Sequence, residues 1–240
     1  MTDTMKKILL AGLALLTVLA CDRFATQTYE DDVAVPLAEG QSDSLLFSVS
    51  LEYVKGGMLI PAMEKINRAL VQQAFDLEGS EMGLEESAAA YRENLIDEYL
   101  NESGSWEDKI NGVFTTRWKG WRNYLLSYYN FRGGAHGIQT VVQLVFDAKT
   151  GDLLTEQALF AEGYVAPVAA LMRQAVQADM EAESPELLDL VELESIAPNG
   201  NFSVNEAGVQ WLFQPYEAGP FALGIVSAFV PWDRLKPYLK

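Results

Sequence analysis

The sequence has 240 residues but only one cysteine, Cys21, and one histidine, His136. A single thiol cannot close an intrachain disulfide, so the stability of the fold must come from its hydrophobic core. One histidine excludes zinc sites that are built on two or three histidines. No Gly-x-Ser-x-Gly sequence marks a serine nucleophile. We therefore expect neither a bound metal nor a cofactor.

Basic residues are also scarce, since 17 lysines and arginines stand against 34 aspartates and glutamates, for a net charge of −17. A surface that binds nucleic-acid phosphates needs clustered lysine and arginine, and the linear sequence contains no such cluster. The composition thus argues against a nucleic-acid partner. Acidity favours a basic partner or ligand. It also serves simply to keep an extracytoplasmic protein in solution, and composition does not choose between the two.

Long apolar runs are absent except near the N-terminus, where residues 8–20 follow two lysines. The run is short for a membrane span, and it ends in the sequence VLAC at residues 18–21, which is typical of a lipoprotein signal. We predict a signal peptide over residues 1–20 and lipidation of Cys21, which would anchor the chain in a membrane. The alternatives are a plain secretory signal and an N-terminal membrane helix.

A lipoprotein signal predicts a location in the bacterial cell envelope, on the extracytoplasmic side of the inner or the outer membrane. Residues 21–43 are polar and irregular, so we predict a lipidated cysteine followed by a flexible tether. From Ser44 onward apolar residues occupy every second position, which is the period of a half-buried strand.

Helical spacing of apolar residues predicts helices over residues 61–77, 84–99 and 162–180. Aromatic and β-branched runs predict strands between and after them, at residues 114–118, 121–131, 138–146, 209–213 and 225–230. Neither a repeat nor a long linker divides these elements. We expect an α+β fold over residues 44–240, with an antiparallel sheet packed against two to four helices.

Two stretches carry a family resemblance. Residues 128–137 read YYNFRGGAHG and are followed by a turn and a short return strand. Residues 208–222 contain a closing strand and then a Pro-Tyr-Glu loop, and residues 231–235 end the motif as Pro-aromatic-x-x-Leu. Together they resemble the RsiV/PdaC-type extracytoplasmic domain of unknown function. Residues 44–118 are similar to the companion domain that usually precedes it, and residues 119–240 to the domain itself.

The resemblance implies a binding module without catalytic activity. In RsiV-type anti-sigma factors the domain is an extracellular receptor for lysozyme, and in PdaC-type deacetylases a separate domain performs the chemistry. This sequence shows neither that catalytic domain nor a sigma-binding segment. The implied partners are a basic protein such as lysozyme, or a ligand related to peptidoglycan.

The candidate ligand-binding residues lie in the two motifs, at Gly133, Gly134, His136, Tyr216 and Glu217. Glycines around His136 allow close approach of a ligand to the backbone. They also allow a bulge in which the imidazole serves only a neighbouring carbonyl, and both interpretations stay open.

We predict that the chain is a non-catalytic, lipid-anchored binding protein of the cell envelope and not an enzyme. One alternative is an envelope hydrolase that uses paired carboxylates, although no pair among the 34 acids stands out. The other is a scaffold for envelope proteins. Tryptophans such as Trp118 and Trp121 suit sugar stacking, but we expect most of the aromatic residues in these strands to pack in the core.

Overall fold

The computed structural model describes residues 24–38, 42–55 and 61–240. The predicted signal peptide and Cys21 lie outside these residues. The elements in chain order are β1 (Thr26–Pro36), β2 (Ser44–Val54), α1 (Pro61–Phe75), α2 (Leu84–Tyr99), β3 (Trp106–Trp118), β4 (Trp121–Phe131), β5 (Ile138–Asp147), α3 (Glu156–Leu159), α4 (Val165–Glu183), β6 (Phe202–Val204), β7 (Gly208–Phe213), β8 (Val226–Pro231) and α5 (Trp232–Leu235).

The predicted α+β class is confirmed, with the strands divided between two sheets. Five strands form one sheet in the order β1-β2-β3-β4-β5, and β6-β7-β8 form the other. Neighbouring strands are antiparallel as expected, with the exception of β2 and β3, which run parallel. Parallel neighbours need a long crossover connection, and α1 and α2 together supply it.

The tether predicted over residues 21–43 is wrong for Thr26–Pro36, which form the edge strand β1. This strand pairs along its whole length with β2, from Thr26 opposite Val54 to Pro36 opposite Ser44. Its side chains alternate, so that Tyr29 and Val35 pack on the core while Glu30 and Asp32 face outward. Asp31 lies on the core-facing side, where it pairs with Arg92 of α2. Charged residues on an edge strand prevent pairing with other chains, which explains why the strand has the composition of a loop.

Strand β3 begins at Trp106, eight residues before the predicted start at 114. Its first half alternates between buried and outward positions, but a charged residue, Asp108, occupies one of the buried positions. A buried charge hides the apolar period that identifies a strand in sequence.

The first hydrophobic core lies between the five-stranded sheet and the helices α1 and α2. Leu45, Phe47 and Val49 of β2 meet Ile66 of α1 and Leu95 of α2, and all five are buried. Burial of each such side chain contributes about 1.5–3 kcal/mol. The two helices therefore cover one face of the sheet.

The second core lies on the opposite face of the sheet, under β6–β8 and α4. Trp211 is its largest fully buried side chain, and it packs with Phe160 and Met172. Strand β5 serves both cores, because Val145 belongs to the second while its neighbour Phe146 belongs to the first. The alternation of side chains along one strand thus joins the two halves of the molecule.

Side-chain amides connect the two sheets along the outer edge of β5. The N–H of Val141 donates to Oε1 of Gln214 at 2.9 Å, and Nε2 of Gln214 donates back to the Val141 carbonyl at 2.6 Å. The N–H of Gln143 donates to Oδ1 of Asn201 at 2.7 Å. Among the described residues no further strand lies beside β5, and the amides satisfy these backbone groups instead.

Asn123 makes the equivalent connection from the face of β4. Its Nδ2 donates to the Val204 carbonyl at 2.7 Å, and its Oδ1 accepts from the Val204 N–H at 2.9 Å. The side chain is 1% exposed. Strand β6 is therefore held to the large sheet by one buried amide.

Among the described residues, no helix is both long enough and apolar enough to cross a bilayer.

We predict that Asn123→Ala lowers the free energy of unfolding by roughly 2–4 kcal/mol, because each buried backbone group left without a partner costs about 1–3 kcal/mol. Chemical denaturation followed by tryptophan fluorescence measures the change. Asn111→Ala is the matched control, since Asn111 is exposed on the adjacent strand β3. Equal losses for the two variants would show that the Asn123 bridge does not stabilise the fold.

Candidate functional site

Two loops that are far apart in sequence meet at one end of β4. Residues 132–137 connect β4 to β5, and residues 214–225 connect β7 to β8. The imidazole of His136 stacks on the ring of Phe221, with centroids 3.9 Å apart and planes inclined by 18°. The ring of Tyr216 lies 5.7 Å from Phe221. The structure thus brings together His136 and Tyr216, which the sequence had placed in separate motifs.

The glycines around His136 have different tasks. Gly133 and Gly134 have φ angles of 84° and 98°, and both face open space. They allow the left-handed turn that ends β4. Gly137 has an ordinary φ, but a Cβ there would overlap the ring of Tyr129. The first two glycines therefore shape the turn, and the third lets the chain pass over an aromatic ring.

His136 itself is exposed, and its Nδ1 lies 3.1 Å from the carbonyl oxygen of Gly137. This contact is the neighbouring-carbonyl bond of the structural interpretation. The ring also supports Phe221 from the solvent side. Neither contact uses the Nε2 atom.

Tyr216 is the most exposed large side chain of the site, at 62%. Its φ is 75°, a backbone conformation that is strained for a residue with a side chain. The loop beneath it is firmly held. Glu217 Oε2 accepts from the Gln214 N–H at 2.6 Å, and the Glu217 N–H donates to the Gln214 carbonyl at 3.0 Å. Glu217, predicted as a ligand contact, thus serves to close the turn that presents Tyr216.

An acidic segment borders this loop. The Glu192 N–H donates to the Ala218 carbonyl at 2.8 Å, and a Cβ on Gly219 would overlap the Leu190 carbonyl. The exposed acids of the segment are Glu181, Glu183, Glu186, Asp189, Glu192 and Glu194. Arg173 pairs with Glu194 at 3.1 Å. Through Leu190 and Glu192, this segment contacts the loop that carries Tyr216, and its exposed acids are called the acidic rim below.

A groove of about 480 Å³ opens on the other side of Phe221. Tyr129, Gln139 and Pro215 contribute to its walls, and Gly137 to its floor. Mostly apolar walls with one amide suit an inserted apolar side chain. The rings of His136, Phe221 and Tyr216 with this groove are called the aromatic patch below.

Asp108 fixes the position of the patch from below. It is fully buried, and its Oδ2 accepts from Arg132 at 2.5 Å and from Asn130 at 2.9 Å. Arg132 directly precedes the glycine turn, so this ion pair anchors the start of the loop. Tyr91 donates to the same oxygen at 3.3 Å, and burial, reinforced by the Asp108 charge, raises the pKa of Tyr91 to about 12. Sequence analysis missed Asp108 because nothing in the linear pattern marks a buried acid.

Glu156 is a second buried carboxylate that sequence analysis did not single out. Its Oε1 accepts from Trp211 Nε1 at 2.7 Å and from the Gly200 N–H at 3.0 Å, and its Oε2 accepts from the Tyr164 hydroxyl at 3.0 Å. Burial, together with the bond to Glu156, raises the pKa of Tyr164 to about 12. Through three neutral donors, Glu156 thus ties α3 to β7, to the segment before β6 and to the start of α4.

A cavity of about 480 Å³ lies beside Glu156, which is the one carboxylate among its described lining residues. Glycoside hydrolysis normally uses two facing carboxylates. Within residues 24–38, 42–55 and 61–240, no three His, Cys, Asp or Glu side chains are grouped so that they could hold a metal ion.

The comparisons agree with this fold. A family model described as a protein of unknown function (DUF3298) matches residues 157–233. The chain is similar to a crystal structure of a DUF3298 family member from Bacteroides fragilis, with a TM-score of 0.80 and 19% identity over 90% of this chain and 94% of that chain. A DUF3298 family protein from Pseudomonas aeruginosa gives a TM-score of 0.70 and 18% identity over the same shares.

No curated protein matches the sequence. The matched residues 157–233 include Tyr216 and Phe221 but not His136. The predicted domain of unknown function is confirmed at the level of the DUF3298 match, and the two solved structures share the fold. The finer RsiV/PdaC-type assignment stays a prediction.

Proposed function

We propose that the protein is anchored by lipid at Cys21 in the cell envelope, and that it acts by binding a basic extracytoplasmic protein of the lysozyme type through the aromatic patch. The observation that carries the proposal is Tyr216, which is 62% exposed and has a φ of 75° on a loop held by its own hydrogen bonds. The strained backbone at Tyr216 lowers the stability of the free protein, and the exposed ring is accessible to a partner.

The surroundings of Tyr216 suit a binding anchor. Exposed aromatic residues on well-supported positions dominate the affinity of many protein interfaces. Phe221 and His136 form a stacked pair behind the tyrosine. Their two rings therefore lose little side-chain freedom when a partner binds. Backbone strain also persists mainly where function requires it.

The charge around the patch supports a basic partner. The acidic rim at residues 181–194 contacts the loop that carries Tyr216, and the whole chain has a net charge of −17. Complementary charge speeds the encounter of two proteins and makes it sensitive to salt. Lysozymes are basic, and the family resemblance implies such a partner.

Binding is supported over hydrolysis by the role of the acids near the cavities. Both oxygens of Glu156 are engaged by protein donors, and the Glu217 carboxylate closes the loop below Tyr216. A peptidoglycan fragment is the alternative ligand, because sugar rings stack on exposed aromatic rings. Salt distinguishes the two, since a neutral glycan would bind almost independently of ionic strength.

We predict that Tyr216→Ala weakens binding of a basic muramidase at least about tenfold, which corresponds to about 1.4 kcal/mol. Calorimetric titration of the whole protein at low ionic strength measures the dissociation constant. Leu100→Ala is the control, because Leu100 is similarly exposed, at 50%, but follows the end of α2. Binding of the unmodified chain should weaken markedly between about 0.05 and 0.3 M salt.

Absence of any binding at low ionic strength would refute the proposed partner. Equal affinities for the Tyr216 and Leu100 variants would place the contact elsewhere on the surface. Release of new muropeptides from peptidoglycan incubated with the protein would favour the hydrolase alternative.

The anchor is tested separately. We predict that cells expressing the chain incorporate an alkyne-tagged fatty acid into it, and that Cys21→Ala abolishes this label, because the chain has no other thiol. In-gel fluorescence of the purified protein measures the incorporation. Equal labelling of the variant would contradict lipidation at Cys21.

A further inference from the structure

The other end of β4 carries a second aromatic cluster. Trp118 and Trp121 face each other across the β3–β4 hairpin, and Trp232 of α5 stacks on Trp118 with centroids 4.7 Å apart and planes inclined by 17°. The three rings border a groove of about 480 Å³ with Leu159 and Leu239. This cluster lies outside the aromatic patch of the proposed function.

Lysines surround these tryptophans. Lys119, Lys236 and Lys240 line the same groove together with one acid, Asp233. Lys119 Nζ lies 4.1 Å from the centre of the Trp118 ring. In the part of the chain that the structure describes, none of these three ammonium groups has a carboxylate within salt-bridge distance. The three tryptophans and three lysines are called the tryptophan pole below.

The pole is unusual for so acidic a chain. The chain has 17 basic residues against 34 acidic ones. Arg117 and Arg122 nevertheless occupy opposite positions on the two strands of the same hairpin. The fold collects these cations from residues 117–122 and from the C-terminal segment after β8. Three of the six residues 117–122 are basic, and the fold adds Lys236 and Lys240 from a segment more than a hundred residues further along the chain.

The N-terminal end of the described chain lies at the same end of β4 as the pole, on the face of the sheet that bears the first core and opposite the face that bears the three tryptophans. The ring of Phe24 packs on Phe114 of β3 with centroids 5.0 Å apart, and the Arg122 guanidinium lies 5.0 Å from the Phe24 ring. Cys21 precedes Phe24 by three residues, which span at most about 11 Å when extended. The described chain therefore begins three residues after Cys21, next to the hairpin.

We propose that the tryptophan pole docks on the surface of the bilayer that holds the acyl chains of Cys21, and that it recognises anionic phospholipid there. The inference rests on the lipidation in the proposed function. Tryptophan prefers the membrane interface, and lysine is attracted to anionic headgroups. An acyl anchor combined with a basic patch holds a protein on a membrane more firmly than either alone.

Docking would orient the whole molecule. Strand β4 runs from Trp121 at the pole to Phe131 next to the glycine turn, a length of about 33 Å at the usual rise. The aromatic patch with Tyr216 would then face away from the membrane, together with the acidic rim. A rigid strand would thus display the patch, where the sequence had suggested a flexible tether.

The test uses the lipidated chain in vesicles of phosphatidylethanolamine and phosphatidylglycerol in a two-to-one ratio. Bromine-labelled phospholipids quench tryptophans that touch the bilayer. Trp106 and Trp211, at 8% and 0% exposure, lie in the two cores and supply an unquenched background. We expect quenching by the brominated lipid, and at least a twofold loss of quenching when Lys119→Glu and Lys236→Glu are combined.

The matched control combines Lys65→Glu with Lys109→Glu, which makes the same change of charge at exposed lysines outside the pole. Its quenching should equal that of the unmodified chain. About 0.5 M salt should reduce quenching of the unmodified chain as well, because it screens the lysines from the headgroups.

Flotation of the vesicles separates the two ways in which the idea can fail. A chain that floats with the vesicles without tryptophan quenching keeps its anchor and overturns the docking. A chain that neither carries an acyl group nor floats overturns the anchor and with it the docking. A soluble acidic muramyl oligosaccharide is the other probe. If it quenches the tryptophan fluorescence while brominated lipid does not, the pole binds a glycan, and membrane docking is overturned.

Discussion

The backbone groups along the outer edge of β5 need partners that no further strand of the described chain provides, and Asn201 and Gln214 supply them with their side-chain amides. These hydrogen bonds hold the small sheet against the large one, because backbone groups left unpaired on a buried edge would cost free energy. Gln214 also begins the loop that presents Tyr216. The same amides that close the sheet therefore set the position of the aromatic patch.

One strand relates the two surfaces that the structure offers. At one end of β4, Arg132 is tied to the buried Asp108 and leads into the glycine turn and His136. At the other end stand the tryptophans and unpaired lysines of the pole. An acidic contact surface and a basic membrane-facing surface at opposite ends of one rigid element would let a single small protein hold one partner while resting on another.

Local pattern allowed much of this fold to be predicted. Period-2 alternation identified β2, and aromatic and β-branched content identified β4 and β5. Helical spacing identified α1, α2 and α4, because these helices bury one face and expose the other. The prediction failed where polar residues occupy an edge strand or a buried position. Strand β1 has the composition of a tether, and the buried Asp108 interrupts the apolar pattern at the start of β3. The candidate residues His136 and Tyr216 were found by motif, but their contact through Phe221 was not.

The sequence by itself determined the α+β class, the glycine turn before His136 and the acidic charge, since each follows from neighbouring residues or from composition. Only the tertiary structure decided that two loops some eighty residues apart share one patch, that Glu156 is a buried joint, and that scattered lysines meet three tryptophans. The reason is physical. Periodicity shows which face of a helix or strand is buried, whereas the element that packs on this face depends on which strands the side-chain amides of Asn123, Asn201 and Gln214 connect.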